Sequence, residues 1–322
     1  MSKVALKQKI RVRQNGHDIL SAEKLEVDTK LFDTDRINPK AQGGIYTEDN
    51  TRVLTTRSHM ERHGNLRVLT PEIEQLKILI DDREQIKKLL YSLTNRLLAA
   101  KRMTDHMDPI TKEWIDNQVE VIESQLHLQD KRIDKHIRGL DLPIVRSMRA
   151  LKGLGTITMA YLLVYIDITK AEHASALWAY VGLDKASHER YTKGESGGGN
   201  KTLRTVLWTW ADSGIRSKSS YREVYDREKL KLENSMKFTK SRNTQGKLIE
   251  CMWKDTKPCH RHGAGMRKMI KHFLADLWFV WRKTEGLPTT PLYVEAVLGH
   301  TGIIRPEERG WVFKEKMKRT KF

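Results

Sequence analysis

Apolar side chains recur at alternating intervals of three and four residues in two stretches of the chain. The first runs Leu76, Leu79, Ile86, Leu90, Leu93 and Leu97, with Arg83 the one polar residue at a seam position. The second runs Ile115, Val119, Ile122, Leu126, Ile133, Ile137 and Leu140, with Gln129 at a seam position. That spacing places one apolar stripe on each of two helices, and such stripes bury each other. Thr70-Pro71-Glu72 reads as a helix start, because Thr caps and Pro suits the first helical position. Asp108-Pro109 interrupts the pattern and Pro143 ends it. The two helices are therefore expected to fold back as an antiparallel coiled-coil hairpin over 71–142. Heptads specify pairing but not chain identity, so a spacer within one chain and a dimerisation arm are equally open.

Upstream, residues 1–70 show short β-like runs at Lys9–Arg13, Arg52–Thr56 and Leu66–Thr70, separated by turn-rich stretches such as 38–44. A partly ordered arm and a small β-containing module both fit. Downstream, amphipathic helical stretches are expected at about 201–216 and 264–284, with Lys218–Lys247 continuing the first to about Leu232 and then looping. Seven of the eight Trp lie at or beyond residue 178, which centres the core of a helical domain in 143–285. Trp208, Trp210, Trp278 and Trp281 are read as core. Residues 286–322 read as a basic tail. The fold class expected is mainly α: a small irregular or β-containing N-terminal segment, the hairpin, then a helical domain.

Charge adds a direction. The 322 residues carry 59 Lys and Arg against 41 Asp and Glu, a formal net charge of +18. Residues 1–200 hold 32 basic and 28 acidic side chains while 201–322 hold 27 and 13, so +14 of the +18 falls in the last 122 residues. A regional positive field suits a polyanion, because clustered Lys and Arg release counterions from phosphates. Nucleic acid is the leading partner. The longest apolar run, Ile157–Ile166, is half the ~20 residues of a membrane span, and the N-terminus has no signal-peptide pattern. Two cysteines, Cys251 and Cys259, make no disulfide scaffold, so a cytoplasmic setting and no membrane partner are expected.

Two glycine motifs carry candidate chemistry. Leu151-Lys-Gly-Leu-Gly-Thr-Ile-Thr-Met-Ala160 has the pattern of a helix-hairpin-helix, in which Gly153, Gly155 and Thr156 would let a phosphate approach the start of a helix. An ordinary turn between packed helices is the alternative. Gly194-Glu-Ser-Gly-Gly-Gly-Asn-Lys-Thr-Leu-Arg204 runs a glycine-rich loop into a helix whose first turn offers Lys201 and Arg204, with Gly199 and Asn200 at the junction. Cys251, Cys259, His260 and His262 are spaced unlike paired zinc knuckles, so no metal site is assigned. His260 and Arg261, followed by Arg267, Lys268 and Lys271, read more simply as a phosphate-contacting surface.

In their order these motifs resemble the insertion-sequence-110-type transposases, relatives of the Piv pilin-gene invertase, over residues 70–285. The glycine turn stands where that family has its Pro-Gly-hydrophobic-Gly motif. Leu177-Trp-Ala-Tyr-Val-Gly-Leu183 matches its Tyr-Gly-Leu segment, Gly199-Asn-Lys-Thr-Leu-Arg204 its Gly-Asn-x-x-Leu-Arg signature, and 257–271 its closing His…Arg-Lys helix. The resemblance implies DNA transposition or recombination by strand cleavage and rejoining. It implies a RuvC-like domain with four carboxylates holding Mg²⁺, a serine nucleophile and, for some members, a structured guide RNA. Counting forward from Gly182 points to Ser187, beside His188; counting back from Gly199 points to Ser196. Before the hairpin there is no Asp-x-x-Asp-Ala, and Asp28, Asp33 and Asp35 form the one early acidic cluster, so the carboxylate half is expected to be missing. Two functions follow: a DNA-binding transposase or site-specific recombinase, or a derived, non-catalytic protein that binds or bridges DNA or RNA. Homo-oligomers through the coiled coil are expected in either.

Overall fold

A computed structural model describes residues 3–22, 24–25, 32–37, 45–55, 69–103, 108–184, 198–242, 247–290 and 304–313. The chain is mainly α and divides into two compact units, Met1–Leu69 and Thr70–Phe322.

In the first unit, α1 (Lys3–Arg13) precedes an antiparallel pair, β1 (Phe32–Arg36) and β2 (Thr51–Thr55), with Thr34 opposite Val53. Ile10, Leu25 and Val53 form its small core, with Leu6 one helical turn before Ile10 packed against it. The strand expected at Lys9–Arg13 is thus the end of a helix: Leu6 and Ile10 share the face that meets β2, and that pairing outweighs the local alternation at 9–13. Arg13 donates to the Glu48 and Thr51 carbonyls, tying the helix end to the strand. Positions 66–68 of the third β-like run lie outside the described residues.

In the second unit, α2 (Pro71–Met103) and α3 (Pro109–Gly139) run antiparallel. Asp108 caps α3 by accepting from Thr111 N. Ile122, Gln129, Ile133 and Ile137 are buried on α3, opposite Leu76, Ile80 and Leu97 of α2. The two polar seam residues have specific partners. Gln129 donates to the Leu79 carbonyl at 2.8 Å. Arg83 makes a two-pronged contact with Asp130 (2.5 and 3.3 Å) and reaches the Tyr161 hydroxyl at 3.1 Å. Tyr161 in turn donates to Glu84. Polar groups at seam positions pin one register, since any slip leaves them unpaired in a dry interface.

Next come α4 (Pro143–Arg149), α5 (Thr156–Tyr165), α6 (Ala174–Tyr180), α7 (Lys201–Arg216), α8 (Arg222–Glu233), the hairpin β3 (Phe238–Arg242) and β4 (Leu248–Met252), a 3₁₀ turn (Trp253–Asp255) and α9 (Pro258–Glu285). The core centres on α9, where Phe273, Leu274, Leu277, Trp278 and Trp281 are buried, Phe273 lies against Trp210 of α7, and the helix also packs on α4, α6 and α8. The helix expected to run on to Leu232 is broken at Lys218, which takes a left-handed backbone (φ 54°) while Ser219 N closes onto the Gly214 carbonyl. Beyond Glu233 the expected loop is the β3–β4 hairpin. Within the stretch read as a tail, residues 304–313 are packed in: Arg309 pairs with buried Asp276 at 2.8 Å, and Trp311 donates to the Tyr221 hydroxyl at 2.7 Å. Tyr221 donates to the same carboxylate at 2.6 Å.

Candidate nucleic-acid interface

The glycine turn joins α4 to α5 with Leu151 and Leu154 buried beneath it. Gly153 adopts φ 85°, and a Cβ there would sit 2.5 Å from Ser217 Oγ, so both conformation and space demand glycine. Gly155 differs: it caps α5 with an extended backbone, and a Cβ would meet nothing within 4 Å. No side chain caps α5. Thr156, however, donates to Asp134 at 2.8 Å, and Asp134 also pairs with Arg138. A carboxylate therefore already stands at this helix start, where its charge opposes a second anion.

The second motif builds a clasp. Asn200 N donates to the Tyr180 carbonyl at 2.6 Å, and the Asn200 side chain caps α7 by accepting from Leu203 N. Its Nδ2 reaches the Tyr180 hydroxyl. Arg204 donates to the carbonyls of Val181 (2.7 Å), Gly182 (2.9 Å) and Gly198 (3.3 Å). Gly182 (φ 68°) and Gly199 (φ 86°) pack backbone to backbone; a Cβ on Gly182 would fall 1.5 Å from Arg204 Nη2, and one on Gly199 2.6 Å from Gly182 N. The Tyr-Val-Gly-Leu and Gly-Asn-x-x-Leu-Arg motifs are thus two halves of one structure that brings residues 183 and 198 together. Arg204, predicted as a phosphate ligand, spends its donors on this closure. Lys201 stays exposed on the first turn of α7. Both candidate nucleophiles, Ser187 and Ser196, lie outside the described residues between the clasp's halves.

The third group lies on α9. Arg261, at its first turn, gives Nη1 to the Thr256 and Lys254 carbonyls, closing the preceding 3₁₀ turn. His260 lies against the Trp253 ring (5.0 Å between centroids), and His262 Nδ1 meets the Tyr225 hydroxyl at 2.7 Å. Lys271 Nζ sits over the Trp178 ring at 5.4 Å, while that indole donates to the Lys271 carbonyl. Lys268 is exposed. Arg267 is different in kind. It is half-buried, burial alone pushes its guanidinium below the usual range, and it has no acceptor or counter-ion among the described residues. A buried cation without a partner costs stability unless a ligand supplies the charge.

Of the early acids, Asp35 is buried against Arg52 at 3.0 Å, Asp33 stands on the same strand, and Asp28 lies outside the described residues. No group of three or more His, Cys, Asp or Glu converges as metal ligands among the described residues. The described carboxylates do not form a Mg²⁺ cradle. The sequence pattern shows Tyr180 and Gly182 only as part of the Tyr-Gly-Leu segment and gives no sign of Asp134; their roles arise from tertiary contact. No helix among the described residues is long and apolar enough to cross a membrane.

Residues 145–226, from α4 through the glycine turn and the clasp to α8, match the family described as Transposase IS116/IS110/IS902. The likeness to that transposase family is confined to this segment, about a quarter of the chain. No curated protein matches the chain.

Proposed function

We propose that this chain, with a transposase-family domain at its centre, is a DNA-binding transposase or recombinase-like protein that holds nucleic acid against the α7 and α9 face. The observation that carries this reading is Arg267, a cation built into the fold without an internal partner among the described residues, in the region that holds most of the excess positive charge. Lys201, Lys268 and Lys271 add charge along the same two helices, and the glycine turn at 153–156 contributes less because Asp134 stands there. In the cleaving form of this reading the clasp joins the two ends of the segment that contains Ser187 and Ser196, and the hydroxyl of one of these attacks the phosphodiester, forming a serine–phosphate ester while one P–O bond to the strand breaks and that strand end leaves as a free hydroxyl.

A second reading, binding or bridging without cleavage, is favoured by one observation: Asp35 is committed to Arg52, and no carboxylate set converges among the described residues. The hairpin supports self-association in either case. Besides its seam, α3 exposes Ile110, Trp114, Val121 and Leu128, a second apolar stripe with nothing packed on it among the described residues. Incubation with supercoiled or branched DNA, comparing wild type with Ser187→Ala and Ser196→Ala, separates the two. Serine-dependent nicking or covalent DNA attachment refutes the binding-only reading. Salt-sensitive binding with no strand cleavage refutes the transposase reading. A parallel arm with structured RNA tests a guide.

A further inference from the structure

Trp208 does not behave like the other tryptophans of the α7–α9 core. Trp210, Trp278 and Trp281 are buried, whereas Trp208 is only partly buried and its indole N–H meets no acceptor among the described residues. The benzo end of its ring reaches α9 at Gly263. A Cβ placed on Gly263 would lie 3.8 Å from Trp208 Cη2 and 3.7 Å from Arg267 Nη1, so the ring and the unpartnered guanidinium border one notch whose floor is a residue without a side chain. No acidic side chain among the described residues contacts Arg267 there. The notch is therefore bordered by the edge of an aromatic ring and by an uncompensated guanidinium within a few ångströms.

We infer that the Trp208–Gly263–Arg267 notch binds an unpaired nucleotide, with its base packed on the Trp208 indole and its phosphate on Arg267. A paired base hides its face in the stack, so this site selects single-stranded or flipped-out nucleotides over intact duplex. Stacking on an aromatic ring tolerates any base, and Arg supplies the phosphate contact. The inference rests on the proposed nucleic-acid function and adds the strand state of its ligand. It also separates Trp208 from a purely structural role.

The test uses the full chain with fluorescein-labelled 20-nucleotide single strands of DNA and of RNA, and a DNA duplex of equal length. Affinity and thermal stability are measured for Trp208→Leu, Trp208→Phe, Gly263→Leu and Arg267→Gln. Trp208→Leu is expected to weaken single-strand binding on the order of tenfold and duplex binding far less, with Trp208→Phe restoring most of it. Gly263→Leu fills the notch while leaving both flanking side chains in place and is expected to give the same selective loss. Arg267→Gln is expected to weaken every ligand and lower the salt dependence by about one phosphate contact. Equal losses on single-stranded DNA and RNA support base stacking. Equal losses on duplex and single strand, or none from Trp208→Leu and Gly263→Leu in folded protein, overturn the notch while leaving nucleic-acid binding intact. If the wild type binds none of the three ligands at low salt, the proposed function itself falls.

Discussion

The 199–204 half of the clasp and the outer face of α9 are both expected from sequence to contact phosphate, yet they treat their cations in opposite ways. Arg204 donates to three carbonyls and has two positive-φ glycines arranged around it. Arg267 has no partner among the described residues. A residue can recur in a motif because the backbone needs it, while a plainer basic residue one helix away keeps its donors for a ligand. The difference lies in packing: Arg204 projects over the junction of residues 182 and 198, where unpaired carbonyls would be costly, and Arg267 projects beside a glycine and a partly buried ring.

The largest effect is expected at the clasp. Gly182→Ala would set a Cβ into Arg204 and force a left-handed alanine, and it should destabilise the second unit by about 3 kcal/mol or more. A urea titration followed by tryptophan fluorescence checks this. Little change in the midpoint would mean that the two motif halves are not interlocked.

A comparable effect comes from acid. Burial, with the nearby positive charges of Arg309, Lys268 and Arg227, lowers His272 to about 4. The folded state thus holds this ring neutral, so its stability is full above pH 6.5 and is lost as pH falls from there through about 4. The loss is on the order of 3 kcal/mol. Nearby Asp276 is raised by burial against the pull of Arg309, so its protonation works in the opposite direction to that of His272. His272→Gln should flatten the step between pH 6.5 and 4 in a thermal-melt series; an unchanged step would assign it elsewhere. This sharpens the contrast, because Arg309 is paired internally with Asp276 and should contribute to folding rather than to binding.

The smallest effect is expected at the glycine turn. Asp134→Asn removes the carboxylate from the start of α5, and DNA affinity at low salt should rise about two- to fivefold, the worth of a charge at a helix terminus. If affinity falls instead, Asp134 orients Thr156 for binding and the turn belongs with the α9 face.

Much of the scaffold was legible from local pattern. Thr70-Pro71 marks a helix start through capping and fixed φ, Asp108-Pro109 and Pro143 mark the breaks on either side of α3, and the heptads of α3 name its buried residues, down to Gln129. What local pattern could not show was closure. Lys218 ends α7 by adopting a positive φ that its residue type does not advertise, and the docking of Arg309 and Trp311 depends on Asp276 and Tyr221 far away in the chain. The candidate site was half legible for the same reason. Arg204, Arg261 and Arg267 look alike in sequence, and only their neighbours distinguish a loop closure, a turn closure and an unpartnered cation. Asp134, which changes the reading of the glycine turn, lies on the hairpin 22 residues away from Thr156.

The central claim is that the motif arginine holds the fold and the plain arginine holds the ligand. Arg204→Gln and Arg267→Gln, each measured for unfolding free energy and for affinity to a short oligonucleotide at low salt, test it in one experiment. The account predicts a loss of about 2–3 kcal/mol in stability for Arg204→Gln, and for Arg267→Gln unchanged or slightly raised stability with affinity reduced about tenfold. Full stability with lost affinity in Arg204→Gln, together with unaltered affinity in Arg267→Gln, would contradict it.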